Sequence, residues 1–499
     1  MALRLLVLIA LIALPITLLP LRGQCAKIAV IPMFGKSHVH VINAMGEALH
    51  KRGHDVRITV ERTQMLPTIK LPVDSYEVQH PFKFGEVNNS FSIITTLKMF
   101  LRLQKEYCAA ILNNSTIMSY YKTIDVLVTD RGFICGSLIA TAIGKLHVVV
   151  SPGGFNLPHL LLNNPFPLSY IPYALTGYSS KMTFKQRFLN TVFYLMGDRF
   201  FSYLTRTTIT TLNQEFNIAP SMSLYEIENS PSMVLITSDF VLEYPRPVLP
   251  NVKVIGSLSA TPAMPLPNEL EAFMNGDSKV VYIAFGSTFE ELSLEKLRIL
   301  VDAVNRLPYK VLWKIKTNIT DIGSHVKIVG WVPQNDILGH KNTIVFYSHC
   351  GHNSMYEAAY HGIPVLAMPI HGDQIDNANQ ILQAGFGVKI DFLRLTSDDI
   401  VNGIMQLTKD RYRENANRLS IALRSQPRTS RDTAVDWIEY VIANKGAKHL
   451  RMEGYNLTII EYYMLDVLLV WIITVVTTIY IVKRFVQLMY FRCCKVKTD

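Results

Sequence analysis

FYSHCGHNSMYEAAYHGIPVLAMPIHGDQ, spanning Phe346 to Gln374, decides how the rest of the chain reads. One apolar run closes on His349. Gly351, Asn353, Ser354 and Glu357 follow, and a second apolar run, IPVLAMPI, stops just before Asp373 and Gln374. Short apolar runs with a helical pattern between them predict strand, helix, strand. Gly351 would let a ligand approach the backbone. A helix starting near His352 would offer that ligand unpaired N–H groups and a positive dipole end, which suits phosphate. Asn353 and Glu357 are four apart and share a helix face, so a carboxylate stands one turn in, where it can take the paired hydroxyls of a ribose. Trp331, just after another strand, can stack on a base, worth roughly 1–3 kcal/mol by analogy with base–aromatic stacking. Asp373 and Gln374 carry acceptors and donors suited to sugar hydroxyls. Each residue alone has an ordinary structural explanation. The combined spacing describes a nucleotide sugar.

The same alternation runs through both halves of the chain. KIAVIPM is followed by Gly35, Lys36, Ser37 and a helical pattern through VINAMGEALHKRG. RITVE, IDVLVTD and LHVVVSP read as further strands, with CGSLIATAIG as a helix. Prolines at 245, 247, 250, 262, 265 and 267 mark a linker. Beyond it KVVYIAF, YKVLWKI, KIVGWVP, TIVFYSH, IPVLAMPI and GVKID restart the pattern. The expectation is two α/β domains with doubly wound parallel sheets, over 25–245 and 268–450, joined by a linker at 246–267. Ligands of such sheets lie outside the carboxyl ends of the strands. Gly286-Ser287, His349 and Asp373-Gln374 follow such ends in the second half, as do His38 and Asp130 in the first. Two facing sheets would present both rims to one cleft.

With 499 residues, 49% of them hydrophobic, the chain can build two or three cored domains and is not disordered. The formal charge is +10, but the last 17 residues hold five basic groups against Asp499, and no arginine-rich stripe remains, so nucleic acid is not the expected partner. Arg4 and the run Leu5–Leu21 read as a secretory signal over 1–24, cut near Gly23 to Cys25. Val467–Val482 carries no charge. With Leu465 and the stems of Lys483 and Arg484 it makes a span at 465–482 suited to a thin membrane. The basic tail 483–499 belongs on the cytosolic side, and Lys495 and Lys497 have the spacing of a dilysine retrieval signal. These features predict a single-pass type I protein of the endoplasmic reticulum with its catalytic domains in the lumen. Asn88, Asn113 or Asn114, Asn318 and Asn456 are glycosylation acceptors there. Cys25, Cys108, Cys135 and Cys350 are scattered and Cys493 and Cys494 lie in the tail, so buried free thiols are expected rather than a disulfide scaffold or metal site.

Trp331-Val332-Pro333-Gln334 through Gln374 resembles the signature of the UDP-glycosyltransferases, of the membrane-bound UDP-glucuronosyltransferase type of animals. MTFKQRFLN (182–190), SDFVLEYPRPVLPN (238–251), RYRENANRLS (411–420) and AVDWIEYVIANKGAKHLR (434–451) extend the resemblance over nearly the whole chain. One departure is His349-Cys350-Gly351, where animal members usually have His-Gly-Gly; plant relatives resemble this chain there, and the site is expected to tolerate the thiol. The resemblance implies the GT-B arrangement of two facing Rossmann-like domains. It assigns the diphosphate to His349, Ser287 and the backbone around Asn353 and Ser354. It gives the ribose to Glu357, the uracil to Trp331 and Gln334, and the sugar to Asp373 and Gln374. His38 becomes the general base, with Asp130 as its partner. UDP-glucuronate or UDP-glucose would be a co-substrate, with no cofactor and no metal.

The chemistry fits those residue types. An acceptor hydroxyl is a poor nucleophile until a base removes its proton, and imidazole titrates in the right range. Asp130 would fix the tautomer and stabilise the imidazolium. His40, two residues along the same helix, and His54, in RGHDV at a helix exit, are the competing histidines. Two other readings of the architecture stand beside the transferase: a nucleotide-sugar epimerase, which needs no acceptor, and a non-catalytic binding subunit. Arg246 is the one cation near the linker that could meet a glucuronate carboxylate. The segments 60–120 and 155–173 would shape a small lipophilic acceptor's site. The sequence leaves a homo-oligomer open.

Overall fold

The structure, a computed structural model, describes residues 25–82, 93–155, 164–286, 292–317 and 319–495. Through Lys448 the chain forms one compact unit with two all-parallel sheets. The first sheet contains β1 (Lys27–Ile31), β2 (Asp55–Glu61), β3 (Val73–Tyr76), β4 (Val126–Asp130), β5 (Leu146–Ser151), β6 (Met233–Ile236) and β7 (Val252–Val254). The second contains β8 (Val280–Ala284), β9 (Lys310–Lys314), β10 (Val326–Val329), β11 (Thr343–Ser348), β12 (Val365–Ala367) and β13 (Gly387–Lys389). Their orders, β3-β2-β1-β4-β5-β6-β7 and β10-β9-β8-β11-β12-β13, reverse direction between β1 and β4 and between β8 and β11. A crevice opens at each switch point, outside the carboxyl ends of the two central strands.

The central strands are apolar because helices cover both faces of a parallel sheet. VLVTD of β4 and VVYIA of β8 are buried throughout. Tyr282 and Phe346 pack on one face of the second sheet, and Trp313 and Tyr347 on the other. Ile31 stands opposite Thr129, and Ala284 opposite Ser348, so the central strands of each sheet end level. The proline-rich stretch is more than a connector, since Val252–Val254 pairs with β6 as the sheet's edge, where missing N–H donors do least harm.

Several contacts tie the halves. His352 Nε2 lies 3.1 Å from the Thr237 carbonyl, and the Tyr356 hydroxyl bonds both the N–H and the carbonyl of Asp239 at 2.8 and 3.1 Å. Asp376 accepts from the backbone of Leu175 and Gly177 at 2.7 and 3.3 Å. The helix Ser430–Ala443 returns to the first half and packs on the helix Lys36–Lys51. There Arg52 pairs with Asp436 and Glu439 at 3.2 and 3.1 Å, and His54 lies 3.1 Å from Glu439. His54 Nδ1 also accepts from the Ala26 N–H, which gives this histidine a structural task.

The expectation of free thiols is corrected in part. Cys108 and Cys135 form a disulfide across 27 residues, with Cα atoms 5.7 Å apart, while Cys25 and Cys350 are free. The cysteines meet because the helix Ile93–Leu112 lies across the loop leading into the helix Gly136–Ile143. Asn114 caps the helix Ser115–Tyr121, leaving Asn113 as the more exposed acceptor of that pair. Asn456 is exposed. The signal segment 1–24, Asn88, Asn318 and Lys497 lie outside the described residues.

His449–Asp499 is a second unit. Its helix Leu465–Lys495 is long and apolar enough over Leu465–Tyr490, 26 residues, to cross a membrane.

Candidate active site

At the first switch point Phe34 is buried against Phe82, Phe100 and Tyr107, with ring centroids 4.9, 5.5 and 5.0 Å away. Gly35 then turns the chain at φ +112°, a value that favours glycine, and the helix Lys36–Lys51 begins. That turn puts His38 in the helix's first turn, with Nδ1 2.7 Å from Oδ2 of Asp130 at the end of β4. Asp130 is fully buried and its Oδ1 accepts from the Gly132 N–H at 2.7 Å. Gln104, also fully buried, donates to the Gly132 carbonyl and accepts from the Ile134 N–H, bracing the same loop. Since a carboxylate only accepts, Nδ1 of His38 carries the hydrogen and Nε2 is the free base. Burial pushes the His38 imidazole down, but the charge and hydrogen bond of Asp130 and the charge of Asp373 outweigh it and hold the group above its ordinary value. His40 is exposed.

At the second switch point the buried His349 imidazole lies against two glycines. A Cβ on Gly286 would stand 2.5 Å from Nε2, and one on Gly351 2.7 Å from it. Gly351 therefore makes room for a side chain; its φ of −59° is open to any residue. Cys350 takes the left-handed backbone, φ +66°, which explains why glycine is the easier residue there. Its N–H is held by Ser348 Oγ at 3.0 Å and its carbonyl by Asn377 at 2.9 Å. Burial, then the charges of His371 and Lys314, push His349 down to about 3, so it is a neutral hydrogen-bonding group. The helix His352–Tyr360 has no side-chain cap at Gly351, so its first N–H groups are not claimed by a capping residue.

One turn in, Gln334 donates to Glu357 Oε2 at 2.7 Å and to Ser354 Oγ at 3.0 Å, while Tyr282 donates to its carbonyl at 3.3 Å. Burial pushes Glu357 up to about 7 against the bonds from Gln334 and Ser259 and the charge of Lys314. Trp331 is 63% exposed just beyond β10, its indole open to a partner. Asn353 is half-buried. Asp373 accepts from Asn377 at 2.8 Å. Gln374 is turned to its own loop, accepting from the N–H groups of Ile370 and His371 at 2.9 and 3.1 Å. Ser287 lies outside the described residues.

Three participants escaped sequence reading. Lys314 closes β9 opposite Ala284, and burial holds its ammonium below the ordinary value against the pull of Glu357. A lysine ending the apolar run YKVLWKI was the available signal. Ser259 reaches Glu357 from the proline-rich stretch, and Asn377 joins Asp373 to the His349 loop; neither had any signal. Arg246, the cation singled out near the linker, is buried: its guanidinium lies 4.4 Å from the Phe155 ring and 3.7 Å from the Glu243 carboxylate, with its side chain 5% exposed. Among the described residues no three His, Cys, Asp or Glu side chains are grouped as metal ligands would be.

Known structures share this fold. Spinosyn Forosaminyltransferase SpnP matches over 84% of this chain and 100% of its own, with TM-score 0.61 and 18% identity. A UDP-glucosyltransferase from Polygonum tinctorium that glucosylates indoxyl matches over 84% and 99%, with TM-score 0.59 and 17% identity. These are GT-B glycosyltransferases, and the two facing sheets are that fold. Human UDP-glucuronosyltransferase 1A10 is 32% identical over 497 residues, covering 95% of this chain and 92% of that protein. Mouse 2-hydroxyacylsphingosine 1-beta-galactosyltransferase is 29% identical over 486 residues, covering 94% and 89%. The family model described as "UDP-glucoronosyl and UDP-glucosyl transferase" matches residues 26–499. With that match over nearly the whole chain, and a relative above 30% identity along almost its full length, the protein belongs to the UDP-glycosyltransferase family and is a UDP-sugar glycosyltransferase.

Proposed function

We propose that the protein transfers glucuronic acid or glucose from its UDP-sugar to a hydroxyl of a small lipophilic acceptor, with inversion at the anomeric carbon. The observation that carries this reading is the His38–Asp130 pair at one switch point and the His349, Glu357 and Gln334 set at the other. Nε2 of His38 takes the hydroxyl proton as the acceptor oxygen bonds to the anomeric carbon. The bond from that carbon to the diphosphate oxygen breaks, its electron pair leaves with UDP, and the β-glycoside remains. The imidazolium formed is stabilised by Asp130.

His349 donates to the diphosphate beside the helix end at Gly351, and Lys314 supplies a cation to the same region. Glu357 takes the ribose hydroxyls and Trp331 stacks on the uracil. Because the Gln334 side chain is bound to Glu357 and Ser354, it acts on the ribose through Glu357 rather than on the base. Asp373 accepts from the transferred sugar, and its loop is shaped by Gln374. With Arg246 taken up by Glu243 and an aromatic ring, a glucuronate carboxylate loses its candidate cation. A donor panel decides between the two sugars.

The catalytic unit resides in the lumen of the endoplasmic reticulum, anchored by Leu465–Tyr490. The Cys108–Cys135 disulfide favours this compartment, because such bonds persist where the environment is oxidising. UDP release by the purified protein tests the transferase reading. Release that depends on an added phenol or steroid is expected, falling about 10²–10⁴-fold in His38→Ala. Sugar isomerisation without an acceptor would favour the epimerase, and near-normal turnover of His38→Ala would move the base elsewhere.

A further inference from the structure

The helix Gln374–Gln383 meets the donor site with one side and the first half of the chain with another. Asp373 and Gln374 open it. Asn377, one turn on, donates to Asp373 at 2.8 Å and to the Cys350 carbonyl at 2.9 Å, beside His349. Asp376, Asn379 and Gln383 lie on a different face, within roughly 60° of one another at about 100° per residue. All three bond the first half. Asp376 accepts from the N–H groups of Leu175 and Gly177 at 2.7 and 3.3 Å, Asn379 donates to the Gly177 carbonyl at 2.8 Å, and Gln383 donates to Ser180 Oγ at 3.5 Å.

The segment held in this way, Tyr173–Tyr178, is neither helix nor strand. Leu175 and Gly177 both take left-handed backbone, φ +67° and +66°, which a leucine adopts only where its surroundings impose it. The start of the segment is fixed from the other side: Asn190 accepts from the Tyr173 N–H at 2.6 Å, and Thr176 Oγ1 donates to the Tyr173 carbonyl at 2.6 Å. The turn thus continues directly from 155–173, the stretch expected to shape the acceptor's site. A carboxylate suits it, because Oδ2 takes one N–H and Oδ1 the other, whereas an asparagine would aim its own N–H donors at one of them. Burial pushes the Asp376 carboxyl up to about 6 against those two bonds, with the charges of Asp373 and Glu243 adding to the rise. Carboxyls perturbed in this way gather at working sites.

We propose that Asp376 is a positioning residue: by holding the turn 173–178 on the helix that opens with Asp373 and Gln374, it registers the acceptor's wall to the transferred sugar. A sugar bound at the first turn of that helix steadies Asp376, and Asp376 steadies the turn. The acceptor hydroxyl is then aimed at the anomeric carbon by the half that holds the donor. This role rests on the reading of Asp373 and Gln374 as partners of the sugar, and Asp376 acts through the turn rather than on the reacting atoms.

The test measures amide hydrogen exchange of the full chain by mass spectrometry, on the peptide covering 173–180, with UDP, UDP-glucose and UDP-glucuronate in turn. In the wild type one of the two UDP-sugars should slow exchange of the turn about threefold or more beyond UDP alone. In Asp376→Asn that difference should vanish, with UDP affinity within about twofold of the wild type. Transfer to a phenol should fall about tenfold or more in kcat in this variant, while the slow hydrolysis of the same UDP-sugar by water, which needs no acceptor, is kept. Gly177→Ala disturbs the contact from the opposite side, since its Cβ would stand 3.2 Å from Asn379 Nδ2 at φ +66°. It should give the same split, and the double variant should be no worse than Asp376→Asn. Absence of sugar-dependent protection in the wild type would overturn the proposal, as would protection that survives Asp376→Asn. Equal losses of transfer and hydrolysis would overturn it too, leaving Asp376 as a support of the donor site alone. Exchange is read without any acceptor, so it decides this role even if the transferase reading fails, and the wild type and Gly177→Ala decide it if Asp376→Asn does not fold.

Discussion

Glu357 offers the most quantitative check on the donor site. In the free protein burial pushes its carboxyl up to about 7, with Lys314 too weak a neighbour to restore an ordinary value. A ribose donating two hydroxyl protons requires the ionised form, so UDP binding must expel a proton from any molecule that holds one. The sign follows: affinity is full above that pKa and falls as the pH drops below it. At pH 6 about one free molecule in eleven carries the carboxylate, so affinity should be about tenfold below its alkaline plateau, close to 1.4 kcal/mol. The terminal phosphate of UDP titrates near 6 as well, so Glu357→Gln is the control, since it keeps the phosphate's titration and deletes the carboxyl's. Calorimetry of UDP binding at pH 6, 7 and 8, in buffers of different ionisation enthalpy, measures both affinity and protons released. The wild type should release about one proton more than the variant at pH 6, and nearly none more at pH 8. Identical proton release by the two proteins would show that Glu357 does not meet the ribose, whatever its pKa.

Further outcomes follow from other contacts. The acid limb of kcat/KM should lie above the ordinary imidazole value, because Asp130 and Asp373 raise His38. In Asp130→Asn, where burial dominates, that limb should move to lower pH while turnover drops at least 10²-fold; an unmoved limb would detach it from His38. Gly286→Ala sets a methyl 2.5 Å from His349 Nε2 at φ +82°, so it should cost about 1–3 kcal/mol in thermal unfolding and weaken UDP at least tenfold. Undisturbed UDP binding would remove His349 from the diphosphate site. Asp373→Ala should leave UDP affinity within about twofold but lower kcat/KM for the UDP-sugar by about tenfold or more. Equal losses for UDP would reassign Asp373 to the nucleotide.

Much of the fold is readable because the central strands are buried on both faces, so VLV of β4 and VVYIA of β8 appear as apolar runs. Edge strands lack that constraint. VDSY of β3 is only partly buried, and β7 hides among prolines, so neither stands out. The site is legible in the residues that end strands, including His349 and Asp130. What joins them is not. His38 and Asp130 lie 92 positions apart, and their pairing depends on family resemblance and on the rule for strand ends. The 27-residue gap between Cys108 and Cys135 carries no signal, since only the packing of one helix across a loop brings the sulfurs together. Arg246 reads as a candidate partner for a sugar carboxylate because linker composition says nothing about two phenyl rings arriving from residues 155 and 166.

The return of Ser430–Ala443 to the first half bears on how this family can be recombined. An engineer seeking a new acceptor with the same donor would exchange the halves at the proline-rich stretch and treat 268–450 as one inheritable block. Arg52 of one parent would then face Asp436 and Glu439 of the other, and His54 would meet a foreign Glu439. The natural seam is discontinuous: the transplant that keeps its own contacts carries the first half together with 430–443, and cuts the chain twice.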